Sequence, residues 1–175
     1  MSAWLRGALG FALGVVVAVP VAYLAVGALV VANPVGSVID PGTGLPWGGD
    51  DLEHHGLVPP DPGEVAVYAG LANKGTPLNT TIGVVATDAE LDAASVRRIA
   101  MSAHDGLARA IHPVHSPLDG DTLFCLSTGD GTGVDLETML SLSTYAAEIT
   151  AAAIVDAVVA AEPGFGLNTY FELTR

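Results

Sequence analysis

Positive charge and cysteine are scarce in this sequence. Its 175 residues include six Lys and Arg against 19 Asp and Glu, which gives a formal net charge of −13. Because nucleic-acid binding requires clustered cations that neutralise phosphates, nucleic acid is not an expected partner. The single cysteine excludes an internal disulfide and is compatible with a reducing compartment.

Charged residues of either sign are also few, since they make up 14% of the sequence whereas hydrophobic residues make up 50%. This composition is far from that of a disordered chain, and the length suffices for one domain with a sizeable core. The cysteine, Cys125, lies within the apolar run LFCL at residues 123–126. We therefore expect a buried, unreactive thiol rather than a nucleophile.

The N-terminal region has no charged residue within residues 7–32, and three interpretations are open. The segment is long enough for a transmembrane helix, with Trp4 and Arg6 as an interfacial anchor, which would attach the protein to a membrane. Alternatively it is the signal peptide of an exported protein, although no convincing cleavage site follows. The β-branched runs at residues 15–17 and 30–31 favour the third interpretation, buried strands in a cytoplasmic protein.

Residues 34–63 are rich in proline and glycine and predict a long loop. Since such loops in compact domains are usually functional or mobile, we expect an acidic loop that borders the active site. His54 and His55, beside three acidic residues, raise the question of a metal ion. Adjacent side chains rarely converge on one ion and no second His pair has ligand spacing, so no metal or other cofactor is expected.

After residue 63 the pattern becomes regular and predicts an α+β fold in which helices cover sheets. The expected strands span residues 64–69, 80–87, 122–127 and 169–173. Two helices are expected over residues 93–111 and 136–161, the first with Asp92 as its N-cap.

The Asn79-Thr80 junction is the point where chemistry is expected. A loop rich in turn formers runs there into the β-branched, apolar stretch IGVVAT at residues 82–87, so Thr80 stands at the start of a buried strand. A Thr hydroxyl is a weak nucleophile unless a base lies beside it, and a Thr at a chain N-terminus has its own α-amine as that base. Cleavage between Asn79 and Thr80 would create this group. Without further signals, an ordinary loop-to-strand junction is the simpler interpretation.

Four segments carry a resemblance that changes this interpretation. They are VGALVVANPVGS at residues 26–37, NTTIGVVATD at 79–88, AHDGLARAI at 103–111 and PLDGDT at 117–122. Together they resemble the self-cleaving L-aminopeptidase/D-esterase family, which includes the nylon-oligomer (6-aminohexanoate-oligomer) hydrolases. The resemblance implies an αββα four-layer sandwich similar to the N-terminal-nucleophile hydrolases. It covers residue 26 to the C-terminus, so the chain resembles the C-terminal part of a member and an N-terminally incomplete fold is expected.

The resemblance also implies roles for individual residues. Thr80 matches the nucleophile, and Thr81 would take this role only if the cut fell one residue later. Asn33 matches an Asn whose side-chain amide donates to the developing oxyanion. Asp119 and Asp121 match acidic residues that orient the nucleophile's amine and support self-cleavage. Alternate residues entering a strand point the same way, which allows both carboxylates to face one site.

Other polar residues receive no catalytic role from the sequence. His104 borders the apolar stripe of the first helix and is expected to be structural and hydrogen-bonded. His112 and His115 flank Pro113 and could approach the site, but their spacing assigns them no role. Family members also carry an upstream Lys that helps to activate the nucleophile, whereas the only Lys here is Lys74, just before the cut.

The resemblance divides the chain into three parts. Residues 1–25 are an apolar segment without a match, residues 26–79 end an α-subunit-like portion, and residues 80–175 form a β-subunit-like portion that starts at the nucleophile. We expect an amide or peptide hydrolase that matures by self-cleavage, acts on a small peptide or amide, and forms a homo-oligomer of cleaved heterodimers. Two alternatives stay open: an inactive fragment that keeps the β-subunit fold, and a membrane-anchored acidic domain.

Overall fold

The computed structural model describes residues 12–21, 24–49, 55–70, 79–164 and 168–174, the first of these ranges as backbone alone. The elements follow in the order β1 (Ala12–Val21), β2 (Leu24–Ala32), α1 (Pro62–Gly70), β3 (Ile82–Thr87), α2 (Ala93–Ala110), β4 (Thr122–Ser127), α3 (Leu136–Val159) and α4 (Tyr170–Leu173). The four strands form one sheet in the order β1-β2-β3-β4.

The sheet is mixed. β1 pairs antiparallel with β2, and β2 pairs antiparallel with β3. β3 and β4 are parallel, which requires a crossover connection that α2 supplies. In the register of the three central strands, Val30 lies opposite Gly83, and Gly83 opposite Leu123.

Helices α2 and α3 cover one face of this sheet. α3 packs against β1 and β2, while α2 packs against β4 and against α3. Along β2 every second residue is buried, as the alternation of a strand with one covered face requires. The core between the layers is built from small and branched side chains, among them Val85, Ile99, Leu107 and Ile154, all fully buried.

The sequence features that predict helix α2 are present in the structure. The side chain of Asp92 accepts a hydrogen bond from Ser95 N at 2.7 Å, which confirms it as the N-cap. The buried positions Ile99, Ala103 and Leu107 recur at four-residue spacing and face α3 and the sheet.

Helix α3 is the one helix in the described ranges that is long and apolar enough to cross a membrane. Most of its apolar window is buried inside the fold, however, against α2 and the sheet. Core helices of globular domains have the same property, so this helix alone does not indicate a membrane span.

The opposite face of the sheet is apolar and uncovered in the described part of the chain. Leu29, Ile82, Phe124 and Leu126 are between 41% and 58% exposed, although each lies in the middle or at the end of a strand. Isolated exposed apolar residues are ordinary, but a contiguous sheet face of this kind usually packs on a second layer. One helical layer and one sheet are thus present here, which is half of a four-layer sandwich.

Several expectations from the sequence are confirmed. The N-terminal apolar region contains the paired strands β1 and β2, as the third interpretation of that region expects. The strand at residues 122–127 has the expected bounds, and the strand at 82–87 and both long helices agree within two residues. Residues 1–11, Lys74 and the suggested metal residues before His55 lie outside the described residues.

Two expected strands are wrong, because residues 64–69 lie in helix α1 and residues 170–173 form helix α4. Both helices begin with reciprocal hydrogen bonds between a capping residue and a Glu three positions later. Asp61 accepts from Glu64 N at 3.0 Å while Glu64 accepts from Asp61 N at 2.7 Å. Thr169 and Glu172 form the same capping box. This pattern is visible in the sequence and outweighs the β-branched residues that favoured strands.

Gly106 provides a test of the packing between α2 and α3. A β-carbon at this position would lie 2.7 Å from Cβ of Thr150 and closer still to the carbonyl oxygen of Ala147. Gly106→Ala should therefore destabilise the fold by about 1–3 kcal/mol, although Ala normally stabilises a helix interior. Thermal unfolding measures the change.

Gly70, at the end of α1, is the matched control because a β-carbon there would meet nothing within 4 Å. Gly70→Ala should leave the unfolding temperature nearly unchanged. Equal unfolding temperatures for wild type and Gly106→Ala would contradict the close approach of the two helices.

Candidate active site

The parallel ladder of β3 and β4 continues beyond the ends of the strands, to the Asn79-Thr80 junction. Thr122 N donates to Thr81 O at 2.9 Å, and Gly120 N donates to Asn79 O at 3.1 Å. Asn79 also forms an isolated parallel bridge with Asp119. The junction is therefore held by backbone hydrogen bonds before the strand itself begins.

The peptide group between Asn79 and Thr80 is bound on two sides. Its carbonyl oxygen accepts from Gly120 N, while its nitrogen, Thr80 N, donates to the backbone oxygen of Asn33 at 3.0 Å. Asn33 directly follows β2, so this bond joins the end of β2 to the start of β3. The orientation of the peptide plane relative to the sheet is set by these two contacts.

The hydroxyl group of Thr80 lies against the same peptide group. Oγ1 donates to the carbonyl oxygen of Asn79 at 2.6 Å. The hydroxyl is thus next to the carbonyl group that it would attack in a self-cleavage reaction. In such an attack negative charge develops on the oxygen of Asn79, where the N–H group of Gly120 already donates.

Gly120 also makes room for the Thr80 hydroxyl. A β-carbon on Gly120 would lie 2.8 Å from Oγ1 of Thr80, which is too close for a real contact. The glycine between the two acidic residues is therefore required by the neighbouring strand, in addition to any role in a turn. The sequence pattern around Gly120 does not indicate this role.

Asp119 connects two loops at the site. Its Oδ1 accepts from Val35 N at 2.9 Å, and its Oδ2 accepts from the Ser116 hydroxyl at 2.8 Å. Val35 lies two residues after Asn33, so the carboxylate of Asp119 fixes the segment that carries Asn33.

Asp121 is more deeply buried, with 3% of its side chain exposed. Its Oδ1 accepts from Thr81 N at 3.0 Å, and its Oδ2 lies 3.0 Å from Nδ1 of His115. The carboxylate therefore holds the backbone of the residue that follows Thr80. The described contacts of both acidic residues go to neighbouring backbone and side chains around the Asn79-Thr80 junction.

Thr81 has a different environment from Thr80. Its side chain is fully buried, and its hydroxyl has no hydrogen-bond partner among the described residues. Thr80 is only partly buried and its hydroxyl contacts the preceding carbonyl oxygen. This geometry favours Thr80 over Thr81 as the reactive residue.

His115, which sequence spacing leaves without a role, contacts Asp121, and His104, expected to be structural and hydrogen-bonded, contacts His115 in turn. Nε2 of His115 is 3.3 Å from Nδ1 of His104. Burial lowers the pKa of His104, and the neighbouring His115 lowers it further, against the opposite effect of Asp121 and Asp105. His112, in contrast, stacks on Trp47 with ring centroids 4.3 Å apart. Only the fold reveals this difference between His112 and His115.

No group of three His, Cys, Asp or Glu side chains in the described ranges is arranged to hold a metal ion. The arrangement at the junction consists of a hydroxyl, a peptide group with one backbone donor (Gly120 N) and one backbone acceptor (Asn33 O), and two buried or half-buried carboxylates. In acyl transfer a hydroxyl oxygen attacks a carbonyl carbon, and the hydroxyl of Thr80 and the carbonyl group of Asn79 are neighbours here.

The chain is similar to several known proteins. Residues 1–170 match the model of a family described as Peptidase family S58, so the match also includes residues 1–25, for which the sequence showed no resemblance. An uncharacterized aminopeptidase of Mycobacterium leprae is 47% identical over 156 residues, which cover 83% of this chain and 43% of the relative. A 6-aminohexanoate-oligomer endohydrolase of a Kocuria species is 28% identical over 131 residues, which cover 73% of this chain and 35% of that enzyme.

A solved structure shows the fold. The L-aminopeptidase D-Ala-esterase/amidase of Ochrobactrum anthropi, described as a variant of the Ntn hydrolase fold, superposes with a TM-score of 0.59 at 21% identity. The match covers 93% of this chain and 44% of that one, so the chain spans less than half the length of each of these proteins. The α+β, Ntn-hydrolase-like fold expected from the sequence is confirmed.

Cys125 lies in β4, beside this site in sequence but outside its contacts. Burial raises the pKa of its thiol to about 11, so the thiolate is scarce at neutral pH. We expect the native protein to react with a thiol reagent such as DTNB at pH 7.5 far more slowly than the protein in denaturant. Cys125 is half-buried rather than fully buried as the sequence suggests, and a native rate equal to the denatured rate would contradict even this partial burial.

Proposed function

The chain belongs to peptidase family S58, and we propose on that premise that it is an amide hydrolase that matures by cutting itself between Asn79 and Thr80. The observation that carries the proposal is the 2.6 Å contact between Oγ1 of Thr80 and the carbonyl oxygen of Asn79. The peptide group is held on both sides while this contact is made. A hydroxyl next to a fixed carbonyl is the starting arrangement for an acyl shift.

Self-cleavage proceeds in two steps. The Thr80 oxygen forms a bond to the carbonyl carbon of Asn79, the C–N bond breaks, and the hydroxyl proton ends on the released Thr80 nitrogen. The product is an ester between Asn79 and the Thr80 side chain. Water then hydrolyses this ester, which leaves a carboxylate on Asn79 and a free hydroxyl and α-amine on Thr80.

Turnover of a substrate uses the Thr80 hydroxyl together with the α-amine of Thr80 that cleavage has released. The free α-amine titrates near about 7.7–8.0, so a substantial fraction accepts a proton around neutral pH. It takes the proton from the Thr80 hydroxyl, which attacks the substrate carbonyl carbon, and gives the proton to the leaving amine. Water hydrolyses the resulting acyl ester and regenerates Thr80, so no cofactor enters the reaction.

Oxyanion stabilisation differs between the two reactions. In self-cleavage the N–H group of Gly120 donates to the oxygen of Asn79. After cleavage we assign the donor for the substrate oxyanion to the side-chain amide of Asn33, a residue whose backbone oxygen accepts from Thr80 N. Loss of one such donor typically costs about 2.7–4 kcal/mol of transition-state stabilisation.

The cleaved halves should stay together. β2 precedes the cut and β3 follows it, yet they pair along the sheet from Val26–Thr87 to Val31–Ile82. The product is therefore a heterodimer whose two chains share one sheet. The names of two relatives, an uncharacterized aminopeptidase and a 6-aminohexanoate-oligomer endohydrolase, both denote hydrolysis of amide bonds, so we assign a small peptide or amide as the substrate class.

A second candidate function rests on the exposed apolar face of the sheet. The side chains of Leu29, Ile82 and Phe124 would serve assembly with another polypeptide layer, whether or not the chain is catalytic. The two functions are distinguished by self-cleavage, because assembly alone requires no reaction at Thr80.

The direct test is the intact mass of purified protein during prolonged incubation without protease. Wild type should split into two fragments at the Asn79-Thr80 bond, and Thr80→Ser should also split, since it keeps a hydroxyl. Thr80→Ala should retain the mass of the full chain. Thr81→Ala should still split, because that side chain faces the core.

The same samples test whether the two fragments stay paired in one sheet after cleavage. Both fragments of wild type should elute together in gel filtration and separate only in denaturant. Cleavage of Thr80→Ala at the wild-type rate would assign the cut to a contaminating protease and contradict the proposal.

Gly120→Ala tests the space beside the nucleophile. The added methyl would displace the Thr80 hydroxyl, and displacements of about 1 Å can cost on the order of 10²-fold in rate. We expect self-cleavage slowed at least about tenfold at little loss of stability. Gly164→Ala, where a β-carbon would meet nothing within 4 Å, is the control and should cleave as wild type. Equal cleavage rates for Gly120→Ala and wild type would show that this space is not required.

A further inference from the structure

A line of hydrogen-bonding groups leads from the protein surface to the residue after the nucleophile. His104 Nδ1 and His115 Nε2 are 3.3 Å apart, His115 Nδ1 and Asp121 Oδ2 are 3.0 Å apart, and Asp121 Oδ1 accepts from Thr81 N at 3.0 Å. The side chain of Asp121 is 3% exposed and that of His115 is 42% exposed. The imidazole of His115 thus lies between a buried carboxylate and solvent.

The chemistry of these groups determines where the protons lie. An ionised carboxylate can only accept, so Nδ1 of His115 must carry a proton. In the neutral imidazole Nε2 then accepts, and Nδ1 of His104 donates to it. Each contact in the line therefore pairs one hydrogen-bond donor with one acceptor.

The Asp121 carboxylate depends on this line. With Thr81 N bound to one oxygen, the other oxygen has His115 as its described partner. A buried carboxylate that loses one of two donors is left with unsatisfied charge and either shifts or takes up water. Either response would loosen its hold on Thr81 N, which is one peptide unit from the reactive hydroxyl.

We propose that His115 is a positioning residue for self-cleavage, which acts through Asp121 and Thr81 to hold the Thr80 hydroxyl against the Asn79 carbonyl. His104 supports it by fixing the tautomer that donates to Asp121. The charged or titratable groups that face this pair are Asp121 and Asp105. The inference rests on the proposed function, because it names a further residue for the same reaction.

The backbone conformation of His115 determines which variants can test its role without straining the chain. Its φ is +52°, in the left-handed region where Asn and Gly are well tolerated. His115→Asn keeps a donor at a position close to Nδ1, whereas His115→Gly removes the donor without adding backbone strain. The two variants therefore differ in the hydrogen bond to Asp121 and not in the fit of the backbone.

The experiment measures self-cleavage rates of purified wild type, His115→Asn and His115→Gly by intact mass, with thermal unfolding as the check of the fold. His115→Gly should cleave at least about tenfold more slowly, since a hydrogen bond to a charged group is lost. His115→Asn should restore the rate to within about threefold of wild type. His112→Asn is the control and should match wild type, because His112 stacks on Trp47.

The outcomes separate this inference from the proposed function. Wild type that stays intact would contradict self-cleavage itself. Wild type that cleaves while His115→Gly cleaves equally fast would overturn the role of His115 alone. Equal slowing of His115→Asn and His115→Gly would also overturn it, because a donor to Asp121 would then be insufficient. Nitrogen NMR provides an independent check: His115 should be protonated at Nδ1 in its neutral form, and protonation at Nε2 would contradict the line of hydrogen bonds.

Discussion

The site depends on one constraint, the continuation of the parallel β3–β4 ladder past the strand ends to Asn79. The hydrogen bond from Gly120 N to Asn79 O holds the carbonyl group, and the bond from Thr80 N to Asn33 O holds the adjacent nitrogen. With this pairing in place, the hydroxyl of Thr80 and the carbonyl group of Asn79 are neighbours, which would lower the entropic cost of the proposed attack.

Asp119 and Asp121 connect the Asn79-Thr80 junction to neighbouring segments of the chain. Asp119 binds the segment after Asn33 through Val35 N, and Asp121 binds Thr81 N. These contacts join three stretches of chain around one peptide group: the end of β2, the start of β3 and the turn before β4. The family resemblance implies that both carboxylates orient the nucleophile, and this role stays a prediction; their observed contacts are with the backbone N–H groups of Val35 and Thr81.

Much of the fold could be predicted because its signals are local. Asp92 and the apolar stripe of Ile99 and Leu107 define α2, and β4 is a short apolar run between polar turns. The β-branched and aromatic residues of α1 and α4 wrongly predict strands, whereas the capping pairs Asp61–Glu64 and Thr169–Glu172 predict the observed helices. The sequence contained the deciding signal in both cases.

The contacts of the site were less predictable, because they join residues far apart in the chain. Val35 and Asp119 are separated by 84 positions, and Thr81 and Asp121 by 40. No periodicity indicates that Gly120 must lack a side chain, nor that His115 rather than His112 faces Asp121. Such assignments require the register of β3 against β4, which only the folded chain shows.

The central claim is that the Thr80 hydroxyl attacks the carbonyl carbon of Asn79 and forms an ester. Hydroxylamine at neutral pH tests it most directly, because it captures esters and the sequence has no Asn-Gly bond that it would also cleave. The account predicts faster cleavage in hydroxylamine, an N-terminal fragment that ends in an Asn79 hydroxamate, and a C-terminal fragment that begins at Thr80. Cleavage that hydroxylamine leaves unchanged, with a free carboxylate as the only N-terminal product, would contradict it.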